Sequence, residues 1–321
     1  MALYGEASKE EQRSYYQSEW SIHDLPAFVT DGISSREFAF DHDGSGPNDR
    51  YNVIRSPDDL AKYLLVRAPY SAYCSVAFYR HPERREGMFR TELAFDIDAK
   101  DLPVRSCQCS PGNVCEVCLN DAKQLALDYI DALRGDLALR EIYLVYSGRG
   151  YHIRALDPSI SVIGSSGRRK ILDYVSGGRV PGDLFMEGGY SALFRRRISW
   201  ILRRARKENL SPLPSTVSNR AIKEKEQILN ALSARDRIAL NNLLGEKRLG
   251  ALLGFLSTLA ASLTDAKVTM DEKRIIRLPS SLHSKVSMKC MLVKDPNDFE
   301  PMRDAVPEFV HRRKGTLDGR D

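Results

Sequence analysis

Glu92-Leu93-Ala94-Phe95-Asp96-Ile97-Asp98 is the stretch whose reading decides the fold. Residue type alternates along it. Leu93, Phe95 and Ile97 fall on one side of an extended strand, and Ala94, Asp96 and Asp98 on the other. The apolar side is driven into a core. The opposite side carries two carboxylates, about 6–7 Å apart along the backbone. Two bare charges on one face are costly to bury unpaired. A divalent cation offsets that cost, and paired carboxylates that hold Mg²⁺ or Mn²⁺ against phosphates are a device of phosphoryl transfer. The plainer alternative is a strand end at the solvent edge.

Working outward, the spacing predicts a strand from Phe89 to Asp98 and others at 36–40, 73–79 and 141–147. Between them, Leu125, Ala126, Tyr129, Ile130 and Leu133 recur at helical spacing and predict a helix over 121–134. Ser56 before Pro57 marks another helix start. Tyr15, Tyr16 and Trp20 mark an N-terminal helix and loop that dock aromatic rings on the core. Strand, helix, strand in this order implies an α/β core. From about residue 190 the pattern changes: 190–210 and 218–262 read as helices, separated by Ser211-Pro212-Leu213-Pro214-Ser215. Strand character returns at 274–278 and 288–293. The expected organisation is a mixed α/β (α+β) fold. Its core, residues 1–189 and 263–310, has a mixed sheet flanked by helices. A helical insertion spans 190–262, and 311–321 form a polar, frayed tail.

The 321 residues carry 48 basic and 43 acidic side chains, a net charge of +5 that is compatible with nucleic acid but weak as an argument alone. Arg195, Arg196, Arg197, Arg203, Arg204, Arg206 and Lys207 cluster with one acid, Glu208, as a candidate phosphate-binding surface. The longest uncharged run, Leu249 to Thr264, is too short to span a bilayer. Met1 to Arg13 is polar, without a secretory pattern, so the expectation is an intracellular protein without a membrane role.

Four cysteines have the spacing Cys107-x-Cys109-x5-Cys115-x2-Cys118. In a reducing compartment that pattern means a structural zinc knuckle, over 105–120, sooner than disulfides. Pro111, Gly112 and Asn113 would turn the chain between the pairs. Cys74 and Cys290 stand alone and read as small buried hydrophobes. Ser147-Gly148-Arg149-Gly150-Tyr151-His152 follows a strand, with two glycines that let a ligand approach the backbone and an arginine fork suited to phosphate. It is not a Walker loop. A third group, Ile275-Ile276-Arg277-Leu278-Pro279-Ser280-Ser281-Leu282-His283, places Arg277 among apolar residues, with Asp265 and Asp271 upstream.

Together with Arg36-Glu37-Phe38-Ala39-Phe40 and Phe95-Asp96-Ile97-Asp98, these motifs resemble, in order and over nearly the whole chain, the small catalytic subunit of archaeal and eukaryotic-type DNA primase, closest to the archaeal form. The resemblance implies synthesis of short RNA (or DNA) primers from nucleoside triphosphates on a single-stranded DNA template. It implies three carboxylates and two catalytic Mg²⁺ or Mn²⁺ ions. The carboxylates fall on Asp96, Asp98 and Asp265, with Asp271 in reserve. Triphosphate contacts fall on Ser147, Arg149, His152, Arg277 and His283, and zinc on the four cysteines. The implied partner is a large primase subunit bearing an iron–sulfur domain, and the implied location is an archaeal cytoplasm or nucleoid. Two other readings stay open: a stand-alone primase–polymerase of repair or mobile elements, and a non-catalytic zinc-bearing nucleic-acid-binding protein.

Overall fold

The computed structural model describes residues 3–110 and 112–318, with side chains as far as Arg313. Pro111, expected in the turn of the knuckle, lies outside the described residues. The strands are β1 (Arg36–Asp41), β2 (Asp49–Asn52), β3 (Ser71–His81), β4 (Glu86–Thr91), β5 (Leu93–Asp98), β6 (Ile142–Tyr146), β7 (Gly150–Ala155), β8 (Ile275–Arg277), β9 (Leu282–His283), β10 (Met288–Lys289) and β11 (Met291–Val293). They form two main sheets. The first has the order β2-β1-β3-β4, with β8 also paired to β3; the second has the order β11-β6-β7-β5.

Ahead of the carboxylate strand lie helices α1 (Lys9–Ser18), α2 (Ala27–Thr30) and α3 (Pro57–Arg67). Helix α4 (Glu116–Gly135) follows it, and α5 (Ser165–Ser176) follows β7. Then come α6 (Gly189–Arg204), α7 (Ser215–Lys223), α8 (Lys225–Ala234), α9 (Arg237–Leu244) and α10 (Glu246–Ala261), with no strand among them. The chain closes with α11 (Ala266–Met270), α12 (Pro301–Asp304) and α13 (Glu308–Asp318). No described helix is long and apolar enough to cross a membrane.

The strand expected from Phe89 to Asp98 is two strands in different sheets. The break falls at Glu92, which is wholly buried. Its carboxylate takes Arg36 from β1 and Arg154 from β7, the latter at 2.7 Å, while its carbonyl accepts from Arg168 of α5 at 2.7 Å. A buried charge is tolerated only when paired. The pairing here ties the first sheet to the second at the point where the chain crosses between them.

The apolar side of β5 behaves as its alternation requires. Leu93, Phe95 and Ile97 are fully buried, and the Phe95 ring meets Tyr129 of α4 edge-on, with centroids 5.8 Å apart. Each such side chain contributes about 1.5–3 kcal/mol by leaving water. Helix α4 therefore covers one face of the second sheet, and the opposite face is left for Asp96 and Asp98. There Val76, Ala94, Val268 and Ile276 form a separate small cluster that seals the first sheet and α11 against β5.

At the N-terminus, the Tyr15 hydroxyl donates to the Ser280 carbonyl at 2.7 Å, Trp20 Nε1 to Ser280 Oγ at 2.9 Å, and the Leu282 amide to the Tyr16 hydroxyl at 3.2 Å. These bonds hold Ser280 in a left-handed conformation, φ +68°, just before His283. The tail expected to fray from 311 is helical as far as Asp318. Arg313 pins it, donating to the Tyr4 carbonyl at 2.7 Å and to Glu11 at 2.5 Å. Residues 319–321 lie outside the described residues.

Candidate active site

Strands β5 and β7 run antiparallel with Asp96 opposite His152 and Asp98 opposite Gly150. This register stands the two carboxylates beside the glycine-containing motif. A Cβ on Gly150 would lie 2.2 Å from the Ile97 carbonyl oxygen and 2.8 Å from Asp98 Cα. Only glycine lets the two backbones approach this closely. Gly148 has φ +93°, and a Cβ there would meet His283 at 2.7 Å. The second glycine thus makes room for the imidazole that arrives from β9.

A cavity of about 140 Å³ forms where the sheets face each other. Asp96, Asp98, Ser147, Arg149, His152, Arg277 and His283 all line it. Arg149 donates from Nη2 and Nε to Asp98 Oδ2, at 2.8 and 3.2 Å, and Lys100 Nζ stands 3.7 Å from the same oxygen. Asp96 has no such cation. Its nearest basic partner is His152 Nε2 at 3.5 Å, and its side chain is 30% exposed. Burial, together with the charges of Asp98 and Asp265, pushes the Asp96 carboxyl up to about 7 against the pull of Arg277 and Arg149.

Asp265 caps the start of α11, its Oδ1 accepting from the Lys267 amide at 2.9 Å. Its own amide donates to the Asp96 carbonyl at 3.1 Å, and Thr264 Oγ1 donates to the same oxygen at 2.8 Å. Asp271 sits at the other end of α11 and accepts from the Lys273 amide at 2.9 Å. Of the two acids, Asp265 is the one the backbone fastens to the carboxylate strand.

Both imidazoles are neutral. Burial, with Arg277 and Arg154 nearby, brings His152 down to about 3. Burial and the Arg277 and Arg149 charges hold His283 well below its ordinary value. His283 Nδ1 lies 3.1 Å from the Ser147 carbonyl, which can only accept. Nδ1 therefore carries the hydrogen and Nε2 the lone pair. Arg277, opposite Tyr73 in the β3–β8 pairing, donates to Ser71 Oγ at 2.7 Å and lies 5.2 Å above the Tyr73 ring.

Sequence reasoning missed Tyr73 and Arg274, which also line the cavity, and Ser71, which orients Arg277. Arg274 adjoins the Ile275–His283 group, whereas the neighbourhood of Ser71 and Tyr73 carries no motif and only the pairing of β3 with β8 brings them in.

The donor set fits divalent cations. Asp96 and Asp98 line the cleft, where Asp96 lacks a cationic partner; Asp265 stands outside that lining, but its charge acts on Asp96, and hard oxygen ligands suit Mg²⁺ or Mn²⁺. The cysteines form a second centre. Cys107, Cys109, Cys115 and Cys118 bring their sulfurs within 4.8 Å of one another. The Cys115 and Cys118 sulfurs are 3.8 Å apart, and the Cys115 amide donates to Cys118 Sγ at 3.0 Å. Two thiolates at about 2.3 Å from a tetrahedral zinc are about 3.8 Å apart, so the set fits structural zinc.

The arginine cluster is largely spent on structure, a correction to its reading as a phosphate surface. Arg195 and Arg197 are buried, donating to the Met186 carbonyl at 2.7 Å and the Val175 carbonyl at 2.8 Å. Arg204 holds Asp121 at 2.8 Å, and Asp121 in turn accepts from the Ser106 amide at 2.6 Å. Arg206 donates to the Cys107 carbonyl at 2.8 Å. These two arginines clasp the knuckle onto α4 and α6.

The chain is similar to known proteins over nearly its whole length. The family model for the DNA primase small subunit matches residues 95–293. The DNA primase small subunit PriS of Methanothermobacter thermautotrophicus is 43% identical, over 98% of this chain and 100% of that protein. PriS of Methanobrevibacter smithii is 42% identical, over 97% and 99%, and PriS of Thermococcus kodakarensis 41%, over 96% and 94%. The chain belongs to the family of DNA primase small subunits, enzymes of template-directed primer synthesis.

Proposed function

We propose that the cleft between the two sheets joins nucleotides by attack of a primer 3′-hydroxyl on the α-phosphorus of a nucleoside triphosphate, releasing pyrophosphate. Asp96, Asp98 and Asp265 hold two Mg²⁺ or Mn²⁺ ions. When bound, such ions supply Lewis acidity at the attacking hydroxyl and offset charge on the leaving group. The chain's own residues do the rest. Arg277 and Arg149 present fixed positive charge to the triphosphate, where charge develops as the bond to pyrophosphate breaks. Arg149 exchanges its bond to Asp98 for phosphate, which frees that carboxylate for a cation. Ser147 and His152 line the same cavity and complete the triphosphate contacts with His283. The observation that carries this reading is the gathering of carboxylates, arginines and imidazoles from three distant segments into one cavity.

Single-stranded DNA is the proposed template, gripped by its backbone, so that binding weakens with salt. A large primase subunit is the proposed partner. Initiation must order two free nucleotides without a duplex to hold either, which is entropically costly, and a second chain that holds the first nucleotide lowers that cost. In this reading residues 1–189 and 263–310 are the catalytic core and 190–262 an inserted helical unit. The test is synthesis on single-stranded DNA with labelled nucleotides and Mg²⁺ or Mn²⁺, comparing a preannealed primer with bare template. Extension of the primer by the chain alone, with bare template needing a partner, is the expected outcome. Equal synthesis on both templates by the chain alone would remove the need for a partner.

A further inference from the structure

A cavity beside the arginine cluster lies on the other side of the second sheet from the carboxylates. It holds about 670 Å³ between α4, α6 and α8, a size that suits a small-molecule ligand. Helix α4 separates it from the sheet, because the inner face of α4 packs on Phe95 through Tyr129. Its walls combine two chemistries. Leu229 and Leu232 are apolar and buried, and Trp200 adds an indole. Arg196 and Arg203 supply charge.

Two groups at this cavity lack partners, and a third is only loosely held. The indole N–H of Trp200 is buried and, among the described residues, has no acceptor. An unmade hydrogen bond of that kind is costly. Arg203 is exposed, and its guanidinium has no ion pair or hydrogen bond among the described residues. Arg196 reaches Asp128 only at 3.4 Å, with its side chain 55% exposed, while Arg197 holds Asp128 at 2.8 Å. Arg204 is committed to Asp121 and stacks on the Trp200 ring at 4.0 Å, which stiffens the indole where it lines the cavity. The cavity thus offers an aromatic and aliphatic wall and two arginine forks, one of them without a partner among the described residues. That combination suits a flat ring joined to phosphate.

We propose that this cavity is a second nucleotide-binding site, separate from the catalytic cleft. The Leu229, Leu232 and Trp200 wall receives the base, and Arg196 and Arg203 receive the phosphate. Free nucleotide and the nucleotides of a single strand share this chemistry, and the test separates them. Trp200 is its own probe, since the chain has two tryptophans and the other, Trp20, is bonded to Ser280. Tryptophan emission is followed while ATP, or a short oligothymidylate, is added to the full chain without added Mg²⁺ or Mn²⁺. Leaving these ions out deprives the catalytic cleft of the cations on which it depends and keeps the zinc of the knuckle in place. Trp200→Phe identifies the Trp200 share of the signal.

A saturable change in the Trp200 emission, with affinity about tenfold weaker in Arg203→Ala, is the expected result. Arg203→Ala should leave primer extension in the catalytic cleft unchanged. A response to ATP but not to oligothymidylate assigns the site to free nucleotide, and the reverse assigns it to a strand. No Trp200 response to either probe at millimolar concentration, or a response indifferent to Arg203→Ala, would overturn the proposal. Loss of primer extension in Arg203→Ala, with intact folding, would contradict the separation of the two sites.

Discussion

At Gly150 the backbone of β7 presses against β5, and any side chain would strike the Ile97 carbonyl at 2.2 Å. Gly150→Ala must therefore separate the two strands at Asp98. A local backbone clash of this kind costs more than ordinary surface substitutions. We expect Gly150→Ala to lower synthesis by at least about tenfold while zinc content stays at that of the parent, and metal analysis alongside the activity assay checks both. The pair Asp265 and Asp271 gives a sharper contrast. Asp265→Asn should remove nearly all synthesis, because it removes the third of the carboxylates proposed to hold the catalytic cations. Asp271→Asn should change kcat by no more than about threefold. Similar losses for both variants would shift the third carboxylate to Asp271. The imidazoles make a prediction in pH. His283 is neutral in the free chain, with a lone pair on Nε2 and its pKa held well below the ordinary value. To donate to a phosphate oxygen, Nε2 must gain a proton, so triphosphate binding raises this pKa. By linkage, affinity is then greater at low pH and is lost as pH rises through the bound-state value. Calorimetry in buffers of different ionisation enthalpy should show proton uptake on nucleotide binding, absent in His283→Gln.

At the scale of elements, what the sequence displayed depended on how local the signal was. The alternation in β5 and the cysteine spacing are short-range patterns, and the structure brings those residues together in the expected elements. The break at Glu92 was not legible, because nothing local distinguishes a residue that pairs with Arg36 and Arg154 from any acid within a strand. The helical character expected over 218–262 is delivered by four helices, α7 to α10, with Arg235 left-handed and Gly245 at positive φ among their junctions. The arginines that clasp the knuckle looked like a phosphate surface because their acceptors, Asp121 and the carbonyl of Cys107, lie far away in sequence. Glu92→Gln leaves two arginines buried beside a neutral amide and should cost about 3–5 kcal/mol of stability, by analogy with broken buried pairs, seen as a lower denaturation midpoint. Stripping zinc with a chelator, or Cys118→Ser, should lower thermal stability and loosen the start of α4, read by hydrogen exchange over residues 105–125. Unchanged exchange there would mean that Arg204, Arg206 and Asp121 hold the knuckle without metal.

For the whole molecule, the two sheets divide the labour. The first carries β3 and β8 with Tyr73, Ser71 and Arg277; the second carries Asp96, Asp98 and His152; the buried Arg36–Glu92–Arg154 group locks them at the crossing. The cleft is thus an interface between sheets, and its chemistry depends on their relative placement more than on any one motif. Family membership fixes the activity, and the cleft is its proposed seat. The most direct measurement is template-dependent nucleotide incorporation by the chain on a primed single strand, with Asp96→Asn/Asp98→Asn as the comparison. Incorporation that disappears in the double variant, with fold and zinc content retained, is the expected result. Incorporation that persists in it would place the chemistry elsewhere and contradict the account.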